Sequence, residues 1–92
     1  MKYSLDHVLT FIHVVETTNF TQAAERMNLS KAMISQRVSA LEAHLGTQLF
    51  IRTTRKCDLT DAGRDFYVSV KDVYKQIETA VEQVKTHQSV AK

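Results

Sequence analysis

Asn19-Phe20-Thr21-Gln22-Ala23-Ala24-Glu25-Arg26-Met27-Asn28-Leu29-Ser30-Lys31-Ala32-Met33-Ile34-Ser35-Gln36-Arg37-Val38-Ser39 holds two helical patterns with almost nothing between them. Asn19 stands three residues before Gln22, the spacing at which a capping side chain and the third helical residue satisfy each other's backbone donors, so a helix begins at Phe20. Its apolar positions Phe20, Ala23, Ala24 and Met27 share one face, and the two alanines are small enough for another helix backbone to come close. The helix is short and ends near Asn28, a residue type that tolerates left-handed backbone. Leu29 turns inward and Ser30 offers a hydroxyl to cap the next helix. The pattern predicts two helices joined by a tight turn.

The next helix, over about 31–45, carries Ile34, Val38, Leu41 and Leu45 on one stripe and stops at Gly46, a residue suited to the position just past a helix end. At roughly 100° per residue, Ala32, Gln36 and Ser39 point directly away from that stripe, with Met33, Ser35 and Ala40 on the flanks. The outward face is therefore small and polar, without bulky charge.

Working outward toward the amino end, Leu5, Val8, Ile12 and Val15 recur at helical spacing with Phe11 beside them, after Ser4 as a cap and Asp6 in the first turn. A first helix over about Leu5 to Thr18 is expected. Toward the carboxyl end, Leu49-Phe50-Ile51-Arg52 and Cys57-Asp58-Leu59 read as two short strands around the basic tip Thr53-Thr54-Arg55-Lys56. Thr60 then caps a last helix whose apolar positions Phe66, Val70, Val73, Ile77, Ala80 and Val84 alternate in steps of four and three, widened by Tyr67, Tyr74 and Val81. Without proline or a further glycine after Gly63, that helix is expected to reach about His87, roughly 40 Å at 1.5 Å per residue.

With 92 residues, 43% of them hydrophobic, the chain has material for one small core. No apolar run approaches the roughly 20 residues of a membrane span, and Met1-Lys2-Tyr3-Ser4 does not begin a signal peptide, so a cytoplasmic protein is expected, nucleoid-associated when bound to DNA. Cys57 stands alone, which excludes an internal disulfide, and with four scattered histidines it gives no metal-ligand spacing, so neither metal nor cofactor is expected. Ser35, His44 and Asp58 lie in no nucleophile motif, there is no glycine-rich phosphate loop, and an enzyme is not expected. Cys57 beside Arg55 and Lys56 has the setting of a reactive thiol, although a plain strand residue is the preferred reading.

Charge is unevenly distributed. Residues 1–30 carry a net −1, residues 31–56 a net +4, and residues 57–92 a net −1. A basic excess confined to one segment attracts a polyanion over one face. Two helices joined by a tight turn, the second slim and polar outside, suit a unit whose second helix enters the major groove of double-stranded DNA. Gln36 offers a donor and an acceptor to adenine, Ser35 serves either role, Lys31 reaches guanine or a phosphate, and Ala32 completes the base-reading surface. Backbone contacts are expected from Asn19, Thr21, Ser30, Arg37 and Ser39, helped by N–H groups at the amino ends of the two helices. Arg52, Thr54, Arg55 and Lys56 would set a basic hairpin against the backbone or into the minor groove.

From Leu5 to Gly63 the chain strongly resembles the amino-terminal domain of LysR-type transcriptional regulators. The resemblance is carried by Phe11 and Val14; Asn19-Phe20-Thr21-Gln22-Ala23-Ala24; Leu29-Ser30; Ile34-Ser35; Leu41-Glu42 with Leu45-Gly46; Leu49-Phe50 with Arg52; and Leu59-Thr60 with Ala62-Gly63. It implies a mainly α fold, a winged helix-turn-helix of three helices and a β-hairpin wing, followed by a long linker helix that pairs two copies. The family often has Gly-Ser where Thr18-Asn19 stands, Gln-Pro where Lys31-Ala32 stands, and a basic residue near Ser39. It usually continues into an effector-binding domain that senses a small molecule. Nothing in this sequence forms one, which favours a deliberately shortened chain over a natural truncation.

The expected organisation is a DNA-binding unit over 1–60 and a linker helix with a short tail over 61–92. The stripe on the last helix is too long for a three-helix head to cover, so Phe66, Val70, Val73, Tyr74, Ile77, Val81 and Val84 are expected at a homodimer interface. Two reading helices would then face an interrupted inverted repeat. In the alternative arrangement Phe66, Val70 and Val73 fold back onto their own domain. The competing function is a helical protein-interaction module docking through the 61–87 helix.

Overall fold

The computed structural model describes residues 4–51 and 57–90, with side chains to residue 87. Helix α1 spans Leu5–Thr17, α2 Phe20–Met27 and α3 Lys31–Leu45; strands β1 (Phe50–Ile51) and β2 (Asp58–Leu59) follow, and α4 spans Asp61–Val90. Mainly helical, with one small antiparallel hairpin, the chain is the winged helix-turn-helix with a long last helix that its sequence predicts.

Local chemistry sets most of the boundaries. The Ser4 hydroxyl accepts from Asp6 N at 3.0 Å, Asn19 Oδ1 from Gln22 N at 2.9 Å, and Ser30 Oγ from Met33 N at 3.1 Å, so each of the first three helices opens on a side chain that satisfies an orphan donor. At the other ends Thr18, Asn28 and Gly46 all take left-handed backbone, with φ of 55°, 57° and 68°. Asn and Gly are at ease there, whereas a β-branched threonine is not. Thr18 was expected to be the last residue of α1 and is instead its strained terminator.

Helices α1, α2 and α3 pack as a three-helix head, and α4 joins it along α1. Phe11, Ile12, Val14, Ala23, Ile34, Val38, Leu41, Leu49 and Phe50 form the buried centre. Phe11 is the hub: its ring lies 5.5 Å from Phe50 and 5.3 Å from Phe66, both tilted contacts that suit aromatic quadrupoles. The α1 core face is turned relative to the expected stripe, because Leu5 is 54% exposed while Phe11 and Val14 are fully buried. Leu45, the last residue of α3 before the Gly46 cap, likewise leaves the stripe at 39% exposure. Buried Thr10 is satisfied by donating to Asp6 O at 2.7 Å.

The hairpin pairs Phe50 with Leu59 and Ile51 with Asp58. Its base is held by groups from two helices. Glu42 of α3 accepts from Leu49 N at 2.7 Å and Phe50 N at 3.2 Å. Thr60 donates its hydroxyl to Gln48 O at 2.8 Å and its N–H to Leu49 O at 3.0 Å, while its oxygen accepts from Gly63 N at 3.0 Å and so caps α4. The hairpin tip, with Arg52, Thr54, Arg55 and Lys56, lies outside the described residues.

Beyond the head α4 runs on, giving the molecule an extent of 54 × 24 × 22 Å. Phe66, Tyr67, Val70 and Tyr74 pack against the core. Every residue from Lys75 to His87 is exposed.

Candidate nucleic-acid interface

The outward side of α3 is open. Ala32, Gln36 and Ser39, the three positions that helical spacing turns away from the apolar stripe, are exposed, as is Lys31 at the helix start, and Ser35 is half-buried. No side chain on this face is bulkier than glutamine except Lys31 and Met33 near the start of the helix, and Met33 is 39% exposed. A helix with so slim a face fits a groove about 12 Å wide.

The amino ends of α2 and α3 are both closed by capping side chains. Asn19 and Ser30 are exposed but their side-chain oxygens already cap α2 and α3, so what each end offers outward is backbone N–H from the first turn, at Thr21 in α2 and at Lys31 and Ala32 in α3. Arg37 is placed differently from a free surface arginine. It is half-buried against α1, with Nη1 3.5 Å from Thr10 Oγ1. That anchor orients the guanidinium along the edge of α3 and leaves its other donors unaccounted for by this contact.

Arg26 and Lys71 face Glu16 at 3.3 and 2.6 Å, and Arg64 faces Asp61 at 3.2 Å, so these cations have carboxylate neighbours. The segment 31–56 contains one acid, Glu42, and its carboxylate is turned to the two N–H groups at the hairpin base.

A second surface lies between α1 and α4. Leu5, Leu9 and Ile12 on one side and Val70, Val73 and Ile77 on the other line an apolar groove of about 390 Å³, completed by Phe66 and Tyr74. The residues expected at a dimer interface therefore divide: Phe66, Val70 and Tyr74 are half-buried on their own core, while Val73, Ile77, Val81 and Val84 are 55%, 49%, 49% and 67% exposed. Among the described residues no His, Cys, Asp and Glu cluster has metal-holding geometry, and no helix is long and apolar enough to cross a membrane.

Sequence reasoning did not find Glu16, Glu42 or the Thr10–Arg37 contact. Glu16 accepts from Tyr67 and Lys71, whose positions in the chain are more than 50 residues away, so no local spacing could reveal it. Burial alone would raise its carboxyl. Hydrogen bonds from Lys71 and Tyr67 and the nearby charges of Lys71 and Arg26 outweigh burial and hold it below the usual carboxylate range. The same cluster raises Lys71, chiefly through its bond to Glu16.

Two helices in helix-turn-helix arrangement, a capped and outward-facing second helix and an antiparallel hairpin behind it define a winged helix-turn-helix protein. A family model described as bacterial regulatory helix-turn-helix protein, lysR family, matches residues 5–64, and the chain belongs to that family. Among curated relatives, the HTH-type transcriptional regulator PtxR of Pseudomonas aeruginosa is 38% identical over 82 residues, covering 89% of this chain and 26% of its own length. BudR of Raoultella terrigena, also an HTH-type transcriptional regulator, is 37% identical over 81 residues, covering 88% and 28%. This chain thus spans about a quarter of the length of these relatives. Among solved structures, the BenM DBD in complex with catB site 1 DNA superposes with a TM-score of 0.87 at 29% identity, covering 97% of this chain and 96% of that one.

Proposed function

We propose that this chain binds double-stranded DNA sequence-specifically as the reading head of a bacterial transcription regulator, with α3 in the major groove. The observation that carries this reading is the exposed, slim, polar face of α3, which begins at the capped amino end of that helix. Similarity over nearly the whole chain to the BenM DBD, described in complex with DNA, supports it. In this reading Lys31, Ala32, Ser35 and Gln36 meet base edges, and Asn19, Thr21, Ser30, Arg37 and Ser39 meet the sugar-phosphate backbone with the hairpin residues Arg52, Thr54, Arg55 and Lys56. The relatives are transcriptional regulators, which supports a binding rather than a catalytic role, exercised in the cytoplasm on the nucleoid.

The unit that reads DNA is taken as residues 1–60, and 61–92 as the linker that joins two copies. The groove between α1 and α4 and the exposed Val81 and Val84 beyond it are an apolar surface that a second copy of α4 fits, since identical stripes on paired helices are self-complementary. The dimer then places two α3 helices on an interrupted inverted repeat.

Selection of sites from random duplex DNA, followed by titration of the best site and a scrambled duplex at two salt concentrations, tests the proposal. An enriched inverted repeat bound at least roughly a thousandfold more tightly than scrambled DNA is expected. Equal, steeply salt-dependent binding of both would reduce the head to a nonspecific polyanion binder, and no binding at low salt would favour a protein-docking module.

A further inference from the structure

Glu16, in the last turn of α1, ties three helices together. Its Oε2 accepts from the Tyr67 hydroxyl at 3.0 Å and from Lys71 Nζ at 2.6 Å, both on α4, and its Oε1 accepts from Arg26 Nη2 on α2 at 3.3 Å. On the α4 side the site is partly covered, with the side chains of Glu16 and Lys71 21% and 26% exposed, while Arg26 is 47% exposed. Charges shielded to this degree interact more strongly than open surface pairs.

At its start α4 is pinned by the Thr60 hydrogen bonds to Gln48 O and Leu49 O and by the close approach of Gly63 to Leu49 O; beyond that pivot the contact with the head is largely apolar, with Phe66 and Tyr67 5.3 and 6.5 Å, ring to ring, from Phe11. Such contacts hold surfaces together without prescribing an angle, whereas charge-assisted hydrogen bonds are directional. Past Tyr74 every residue through His87 is exposed, so the clamp lies close to the last point at which α4 is packed on the head.

We infer that Glu16 is a positioning residue for DNA reading: through Tyr67, Lys71 and Arg26 it fixes the angle between α4 and the head, and so the distance between the two reading helices of a dimer. The inference rests on the dimeric reading given above. Its leverage is geometric. A tilt of about 10° about α4 moves the far side of a molecule whose cross-section is 24 Å by about 4 Å, on the order of one 3.4 Å base-pair step per protomer. Loss of the clamp leaves each head able to bind its half-site and removes the ruler between them.

The test titrates wild type and Glu16→Gln on a single half-site and on duplexes whose two half-sites stand at the selected spacing or one and two base pairs away from it. Wild type is expected to lose about tenfold or more in affinity per base pair of altered spacing; Glu16→Gln should keep its single-half-site affinity within about twofold while the spacing penalty falls to about threefold or less. Tyr67→Phe and Lys71→Met should shift the penalty in the same direction. A spacing penalty in Glu16→Gln equal to that of wild type overturns the inference and leaves the dimeric reader standing. A wild type indifferent to spacing overturns the dimeric reading and the inference with it. Circular dichroism accompanies each variant; if Glu16→Gln loses its helical signal, Lys71→Met, which keeps the Glu16–Tyr67 bond, decides by the same comparison.

Discussion

Gly63 of α4 lies directly beneath the carbonyl of Leu49: a Cβ at position 63 would fall well inside van der Waals contact with that oxygen and 2.9 Å from Leu59 Cδ2. The backbone oxygen cannot retreat freely, because it accepts the Thr60 N–H at 3.0 Å. Gly63→Ala is therefore expected to destabilise the chain by about 1–3 kcal/mol despite alanine's better helix propensity, as overpacking outweighs propensity. Urea unfolding measures it, and an unchanged midpoint would show that the hairpin base yields without cost.

Thr18 holds a left-handed conformation, φ 55°, that costs a β-branched residue on the order of 1–2 kcal/mol. Its hydroxyl donates to Thr17 O at 2.6 Å, a local bond that offsets a small part. Thr18→Gly should raise stability by about 1 kcal/mol, less whatever flexibility glycine adds to the unfolded chain. Asn28→Gly, at nearly the same φ of 57°, should gain much less, because asparagine already tolerates that geometry. Thermal unfolding of both variants side by side checks the contrast.

Acid should loosen the head in two stages. His13 lies below its ordinary 6.5, from burial first and then from the charge of Arg26, so the unfolded chain takes up this proton before the folded one does. Stability therefore falls as pH drops through 6.5 and stops falling from this cause below the folded value. Glu16 also lies below its ordinary 4.5, so its contribution is present above that pH and is lost as pH falls through the lower folded value. Melting temperature against pH should show both phases, and His13→Gln should erase the one near 6.5 while leaving the more acidic one.

At the reading face, Gln36→Ala should cost roughly 1–3 kcal/mol on the selected site and relax its sequence preference. Arg55→Ala should weaken all duplexes alike and lower the salt slope by about 1. Equal effects of both substitutions on scrambled DNA would reject the division of roles.

What was legible in the sequence is what local chemistry decides. Asn19, Ser30, Asn28 and Gly46 mark helix ends because a cap is made within about four residues of the group it satisfies. The exposed face of α3 was legible for a similar reason, since helical periodicity alone separates Gln36 from Ile34. Leu5 and Leu45 were misplaced in the core because a stripe continues in sequence past the point where a neighbour stops covering it. Arg37 reads as an edge arginine, yet it leans on Thr10, 27 residues earlier. Glu16 and Glu42 look like ordinary helix-surface acids, and only the docking of α4 and the hairpin shows what they hold. Where α4 divides into a packed and an open part, at Tyr74, depends on the size of the head and not on any feature of the helix itself.

The open part of α4 has a thermodynamic consequence. The 13 residues from Lys75 to His87 are all exposed and extend a helix already nucleated by its packed part, so each adds little stability of its own and the end frays readily. Whatever lies along this stretch therefore adds to its order. If that is a second chain, pairing and helix formation there are one equilibrium, and mean residue ellipticity becomes a function of protein concentration. Dilution would then shorten the helix and separate the protomers together, so occupancy of a two-half-site operator would rise more steeply than in proportion to the amount of protein.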